Sequence, residues 1–99
     1  MTFERLVGLH VTDDAAYQAY RDAMTPLLNA CGGGFRYDFK IAETLRSDTH
    51  SPINRVFAIH FPDQATSNAF FSDDAYLKIR AEYFERSVAA TTILATYER

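Results

Sequence analysis

Tryptophan is absent from the 99 residues, cysteine occurs once, and proline and glycine take only three and four positions. A single cysteine excludes an internal disulfide, so the chain is not a small secreted scaffold held by cross-links. Cys31 follows a helical apolar run, which suits a buried thiol in a reducing compartment. Long apolar runs are also missing, since the longest extend a few residues against the ~20 that a bilayer-crossing helix needs. The segment Met1-Thr2-Phe3-Glu4-Arg5 lacks the hydrophobic centre of a secretory signal, so a soluble cytoplasmic protein is expected. Positive charge is not in excess: 10 basic against 13 acidic residues give a net charge of -3. Arg5, Arg21, Arg36, Arg46, Arg55, Arg80 and Arg86 are scattered among carboxylates, which argues against a nucleic-acid partner.

Apolar content is what the chain has. Hydrophobic residues make up 47% and aromatics 14% of it, a level that disordered sequences do not reach. At this length one core forms, and residues 1–99 are expected to make a single domain.

Phe3 to Val11 reads as a strand with apolar residues on both faces. Thr12 offers a hydroxyl cap, and Asp13 and Asp14 place negative charge in the first turn of a helix. Tyr17, Tyr20, Met24, Leu27, Leu28 and Cys31 recur at spacings of three and four along its covered face. Pro26 removes a bond to the carbonyl of Asp22 and predicts a kink near Thr25, or a second segment capped by Thr25. Gly32-Gly33-Gly34 ends the helix. These glycines lead from helix to strand, the reverse of a phosphate-binding loop, and therefore read as a helix C-cap turn.

Phe35, Tyr37, Phe39 and Ile41 then alternate with Arg36, Asp38, Lys40 and Ala42, a strand with one apolar face and one polar face. The polar face reads as an edge protected against unwanted pairing. A polar loop, Arg46 to Ile53, leads to a third strand, Asn54 to Phe61, which Pro62 ends. Asp63 caps a short helix through Phe71, and Ser72-Asp73-Asp74 opens a longer one to about Val88. Tyr76, Ile79, Tyr83, Phe84 and Val88 mark its covered stripe. Thr91 to Tyr97 has the β-branched density of a last strand. The expected fold is therefore α+β, a ferredoxin-like βαββαβ chain. Its antiparallel sheet has order 4-1-3-2, with both helices on one face.

Such helices cover only one side of the sheet. Phe3, Val7, Leu9 and Val11, with Phe57, Ile59 and Phe61, suit the helix side. Leu6, Val56, Ile93 and either Ala95 or Leu94 are left to line an exposed apolar patch on the other side. An exposed patch of this kind marks an interface, and a two-fold homodimer is the economical occupant.

In this order the residues resemble the domain of unknown function 1330 family, within the dimeric α/β-barrel superfamily. The resemblance spans nearly the whole chain. It rests on Asp14-Ala15-Ala16-Tyr17-Gln18-Ala19-Tyr20, on Pro26 and on Gly32-Gly33-Gly34-Phe35. It rests also on Phe57-Ala58-Ile59-His60-Phe61-Pro62 and on Ala69-Phe70-Phe71-Ser72-Asp73-Asp74-Ala75-Tyr76. The family pattern usually has Glu before the Phe-Pro pair, where this chain has His60. The resemblance implies a ferredoxin-like protomer whose open sheet face packs on a partner to close a barrel. Superfamily relatives include cofactor-independent monooxygenases, lactone isomerases and haem enzymes, whereas the family itself has no established activity.

Two functional readings follow. In the first, a homodimer binds a small apolar or aromatic molecule between helices and sheet, with oxygenase- or isomerase-like chemistry that uses no cofactor. His10 or His60 is then the base and Arg80 the anion-stabilising donor, because imidazole titrates near neutrality and Arg80 follows Tyr76 by one helical turn. Tyr17, Tyr37 and Tyr83 are the candidate substrate-binding side chains. In the second reading the protein is a non-catalytic binding or structural module. No metal site is expected. His10 and His60 lie roughly 20 Å apart on antiparallel neighbours at about 3.3 Å per residue, and His50 stands in a polar loop without partners at ligand spacing. A lone axial His has nothing else to support a haem pocket.

Overall fold

Phe3–Val11, covered along most of its length on both faces, is a central strand, β1, with a neighbour on either side. The computed structural model describes residues Met1–Arg99. After β1 the chain forms α1 (Asp14–Ala30), β2 (Gly34–Lys40), β3 (Arg55–Phe61), α2 (Gln64–Ser72) and α3 (Asp74–Ile79). A π-helical turn, Arg80–Phe84, and the last strand β4 (Val88–Glu98) follow. The four strands form one antiparallel sheet of order β2-β3-β1-β4, the expected 4-1-3-2 order read from the opposite edge.

Local chemistry explains the boundaries. Asp13, not Thr12, caps α1: its extended backbone lets the carboxylate accept from the Ala16 N–H at 3.0 Å. Thr12 instead donates its backbone N–H to the Ser87 carbonyl. Across Pro26, α1 stays a single helix, so the second segment does not form. Thr25 is no cap; its hydroxyl bonds back to the Arg21 carbonyl at 2.6 Å. Gly32 takes φ +83°, the left-handed conformation a helix C-terminus needs. α2 and α3 remain separate because Asp73 is extended between them, its carboxylate accepting from Ala75 and Tyr76 N–H.

The expected helix to Val88 stops at Phe84, and β4 begins at Val88, three residues before the expected Thr91. The cause is pairing: Val88 sits opposite Val11, beyond a register shift that passes over Ala89.

The core lies between the helices and the odd-numbered side of β1. Val7, Leu9, Phe57, Ile59 and Phe61 meet Tyr17, Tyr20, Met24 and Leu28 from α1, with Phe70 and Tyr76 from α2 and α3. Each such side chain stabilises the fold by about 1.5–3 kcal/mol through burial.

Two further irregularities redistribute side chains between the faces. In β2, Phe35 pairs with Ile59 but Tyr37 pairs with Ala58, so Arg36 is an extra residue and alternation reverses after it. Phe35 stays on the helix side, edge-on to Phe57. Tyr37 and Phe39 cross to the open side, 55% and 51% exposed and stacked on one another. The same step turns Asp38 to the helix side, where it meets Arg21 and Arg55 while its side chain stays a third exposed at the sheet edge. In β4, Ile93 pairs with Val7 and Ala95 with Leu6, with Leu94 as the extra residue. Ile93 therefore belongs to the helix side and leaves the open apolar patch to which its alternation assigned it.

The open face now reads Leu6, Val56, Ala95, Tyr37 and Phe39 at its centre. At one end the loop before β3 crosses it: Ile53 packs against Gly8, where an added Cβ would lie 3.0 Å from its side chain. At the other end Glu4 is fully covered and ion-paired with Arg36. Burial pushes the Glu4 carboxyl up, but the hydrogen bond and charge of Arg36 help to outweigh it and hold its pKa below the ordinary value.

Candidate functional site

Between α1, the Arg80–Phe84 turn and the sheet lies a cavity of about 190 Å³. Its walls are mainly apolar: Val7, Leu9 and Ile59 from the sheet, Met24 from α1, with Phe71 and Phe84 from the helical layer. The polar atoms are few and ordered.

The hydroxyls of Tyr20 and Tyr76 bond to each other at 2.8 Å. Burial pushes both pKa values up; for Tyr20 its partner hydroxyl adds to the shift, whereas for Tyr76 the bond to Tyr20 and the Arg80 and Arg5 charges oppose it. Both remain neutral hydrogen-bonding groups near pH 7.

At one end, Arg21 is clamped. Its Nε donates to the Tyr17 hydroxyl at 2.8 Å, and Nη1 and Nη2 donate to the two Asp38 oxygens at 3.1 and 3.3 Å. Arg55 reaches the same carboxylate with two bonds of 2.8 Å. Burial raises the Asp38 pKa, but the Arg55 bonds and the Arg21 charge overcome it, leaving the carboxyl below its usual range. The Arg21 guanidinium also lies 3.9 Å from the Phe35 ring centre and 4.7 Å from that of Phe57, a cation–π stack that fixes this wall.

Towards the other end stand Arg5 and Arg80. Arg5 lies 4.8 Å over the Phe71 ring and Arg80 5.1 Å over that of Phe84. Neither forms an ion pair.

Of the residues singled out from the sequence, Arg80 and Tyr17 line this cavity. Tyr83 packs against the outside of the core, beneath the Arg86 guanidinium. Tyr37 lies on the open side of the sheet. His10 and His60 also face that side: His10 pairs with Ala90, and His60 pairs with Glu4 and leans over Gly34. Burial, then the Arg36 charge, lower the His60 pKa, with Glu4 opposing them. The sheet thus stands between both imidazoles and the cavity.

Sequence reading passed over Arg5, although its signal was present: it is the one charged residue in the otherwise apolar set Phe3, Val7, Leu9, Val11. Asp38 carried no such signal, because the bulge at Arg36 decides its direction. No group of three or more His, Cys, Asp or Glu side chains is placed to hold a metal ion, and no helix is long and apolar enough to cross a membrane.

The chain superposes on a protein of unknown function from Rhodopseudomonas palustris with a TM-score of 0.82 at 15% identity, over 99% of this chain and 82% of that one. It is similar also to a dabb family protein with a ferredoxin-like fold from Mesorhizobium loti, with a TM-score of 0.70 at 13% identity, over 99% and 96% of the two chains. A dimeric protein of unknown function with a ferredoxin-like fold from Bacteroides fragilis matches with a TM-score of 0.62 at 10% identity, over 99% and 96%. At these identities the likeness is one of fold. None of the curated proteins matches the chain. The domain of unknown function DUF1330 matches residues 6–97, nearly the whole length, and the protein belongs to that family.

Proposed function

We propose that this protein is a cytoplasmic homodimer that binds a small, largely apolar or aromatic molecule in the cavity between its helices and its sheet. The observation that carries the reading is the cavity itself, open between elements whose side chains otherwise pack tightly, and lined by apolar groups around a few oriented polar ones. The dimer is supported by the half-exposed Tyr37 and Phe39 beside Leu6 and Val56 on a sheet face no helix covers, and by the dimeric description of the Bacteroides fragilis protein. A second copy presenting the same face would bury these groups.

Binding without turnover fits this geometry better than base catalysis. Cofactor-independent oxygenase or isomerase chemistry needs a proton acceptor beside the substrate. The cavity wall offers neither histidine nor carboxylate, and its tyrosines are held neutral. Titration with a panel of quinols, lactones and enols, with oxygen uptake recorded, tests the reading: saturable binding without oxygen consumption or product supports it. Turnover that disappears in His10→Ala or His60→Ala overturns it in favour of an enzyme. Native mass measurement tests the assembly, with twice the 11.2 kDa chain mass expected; conversion to a monomer in Tyr37→Lys/Phe39→Lys locates the interface. A wild-type monomer at micromolar concentration removes the dimer.

A further inference from the structure

The charges around the cavity are all of one sign. Arg5, Arg21 and Arg80 line it and no Asp or Glu does, in a chain whose net charge is -3. Arg21 is already engaged by Asp38 and the Tyr17 hydroxyl. Arg5 and Arg80 are not engaged by any carboxylate, and the buried Nε of Arg5 has no hydrogen-bond acceptor within the chain. A buried donor without an acceptor is disfavoured, so its persistence points to an acceptor from outside the chain. Both guanidiniums line the same cavity, Arg5 over the Phe71 ring and Arg80 over that of Phe84.

From this we infer that the cavity's ligand is a monocarboxylate with a single aromatic ring or a branched chain of similar size, its carboxylate held by Arg5 and Arg80. The inference rests on the proposed binding role of the cavity and adds the chemical class of the ligand. Size sets the ring count: an apolar cavity of about 150 Å³ takes benzene, and this one has about 190 Å³, room for one ring and a short acidic arm. Charge and shape set the head group. A planar carboxylate presents two oxygens to the forked donors of a guanidinium, and the apolar walls would leave the additional oxygens of a phosphate unpaired. Phe71 and Phe84 hold the two guanidiniums from below by cation–π contact, so little order remains to be imposed on binding.

Phenylacetate and phenylacetamide have nearly the same shape and differ in charge, so calorimetric titration of the intact protein with both is the test. At pH 7 and low salt the acid is expected to bind about tenfold more tightly than the amide, the worth of about one charge-assisted hydrogen bond. Arg80→Gln should bring the two ligands to similar affinity, and Arg80→Lys should restore part of the preference. Arg80 is exposed on its turn, so these variants leave the core intact; Arg5→Gln, with folding checked by circular dichroism, should act in the same direction. Equal binding of acid and amide by the native protein, or a preference that survives both Gln variants, overturns the carboxylate assignment while the cavity reading stands. If neither ligand binds at millimolar concentration, the cavity reading fails and the assignment fails with it.

Discussion

Tyr20 and Tyr76, separated by 56 positions in sequence, share a hydrogen bond of 2.8 Å that ties α1 to α3 across the roof of the cavity. Each hydroxyl is the other's protein partner in a buried setting. Removing one strands the other, whereas removing both leaves two rings of nearly unchanged shape. Tyr20→Phe or Tyr76→Phe should each cost about 1–2 kcal/mol, and the double variant less than their sum. Urea unfolding of the four proteins gives the cycle; strict additivity would contradict the shared bond.

The raised pKa values of Tyr17, Tyr20 and Tyr76, each due first to burial, give an alkaline limit. Above pH ~10 an unfolded tyrosine releases its proton while the folded one keeps it. Stability from these groups is thus complete below that pH and falls as pH rises further. Unfolding midpoints recorded from pH 8 to 11 should drop at the alkaline end, and Tyr20→Phe/Tyr76→Phe should drop less.

Asp38 behaves in the opposite sense. Its pKa is lowered despite burial because Arg55 and Arg21 hold the ionised form, so its contribution is complete above the unfolded carboxylate range near pH 4 and is lost as pH falls. Asp38→Asn leaves the buried Arg21 without its counter-charge. Because the Asp38 side chain keeps a third of its exposure, the loss should be about 1–3 kcal/mol, below that of a fully buried pair. Denaturant titrations at pH 7 and pH 3 check this: the variant should be less stable at pH 7 and should lose less on acidification than the native chain.

The glycines after α1 differ in what surrounds them. A Cβ on Gly33 would lie 2.6 Å from Leu28 Cδ1 and 2.8 Å from the His60 carbonyl oxygen, the second a backbone atom with little freedom to move. On Gly34 it would meet the His60 imidazole, which can swing away. Gly33→Ala should destabilise by about 1–3 kcal/mol and Gly34→Ala by less; thermal melts of both variants test the order, and a larger loss in Gly34→Ala would contradict it.

Much of the fold was legible because it rests on periodicity. The stripe Tyr17, Tyr20, Met24 and Leu28 showed the covered side of α1, and the odd-numbered set in β1 showed which face meets it. Tyr37, Phe39, Asp38 and Ile93 were assigned to the wrong sides for a common reason. Each lies on a strand where an extra residue, Arg36 or Leu94, reverses alternation, and a bulge leaves no mark in a pattern of apolar and polar letters. The same holds for the cavity. Arg80 and Tyr17 were visible as aromatic-flanked polar groups, but the meeting of Tyr20 with Tyr76 depends on how α3 crosses α1. The histidines drew attention by their chemistry alone, and strand parity already placed His10 and His60 on the face away from the helices.

The division of labour between the two faces of the sheet can be measured in a single experiment, methyl NMR of the native protein titrated with phenylacetate. Shifts are expected at Val7, Leu9, Met24, Ile59 and Ile93, which line the cavity, with Leu6 and Val56 unmoved on the other side. Shifts confined to Leu6 and Val56, or none at saturating ligand, would contradict the cavity as the binding site.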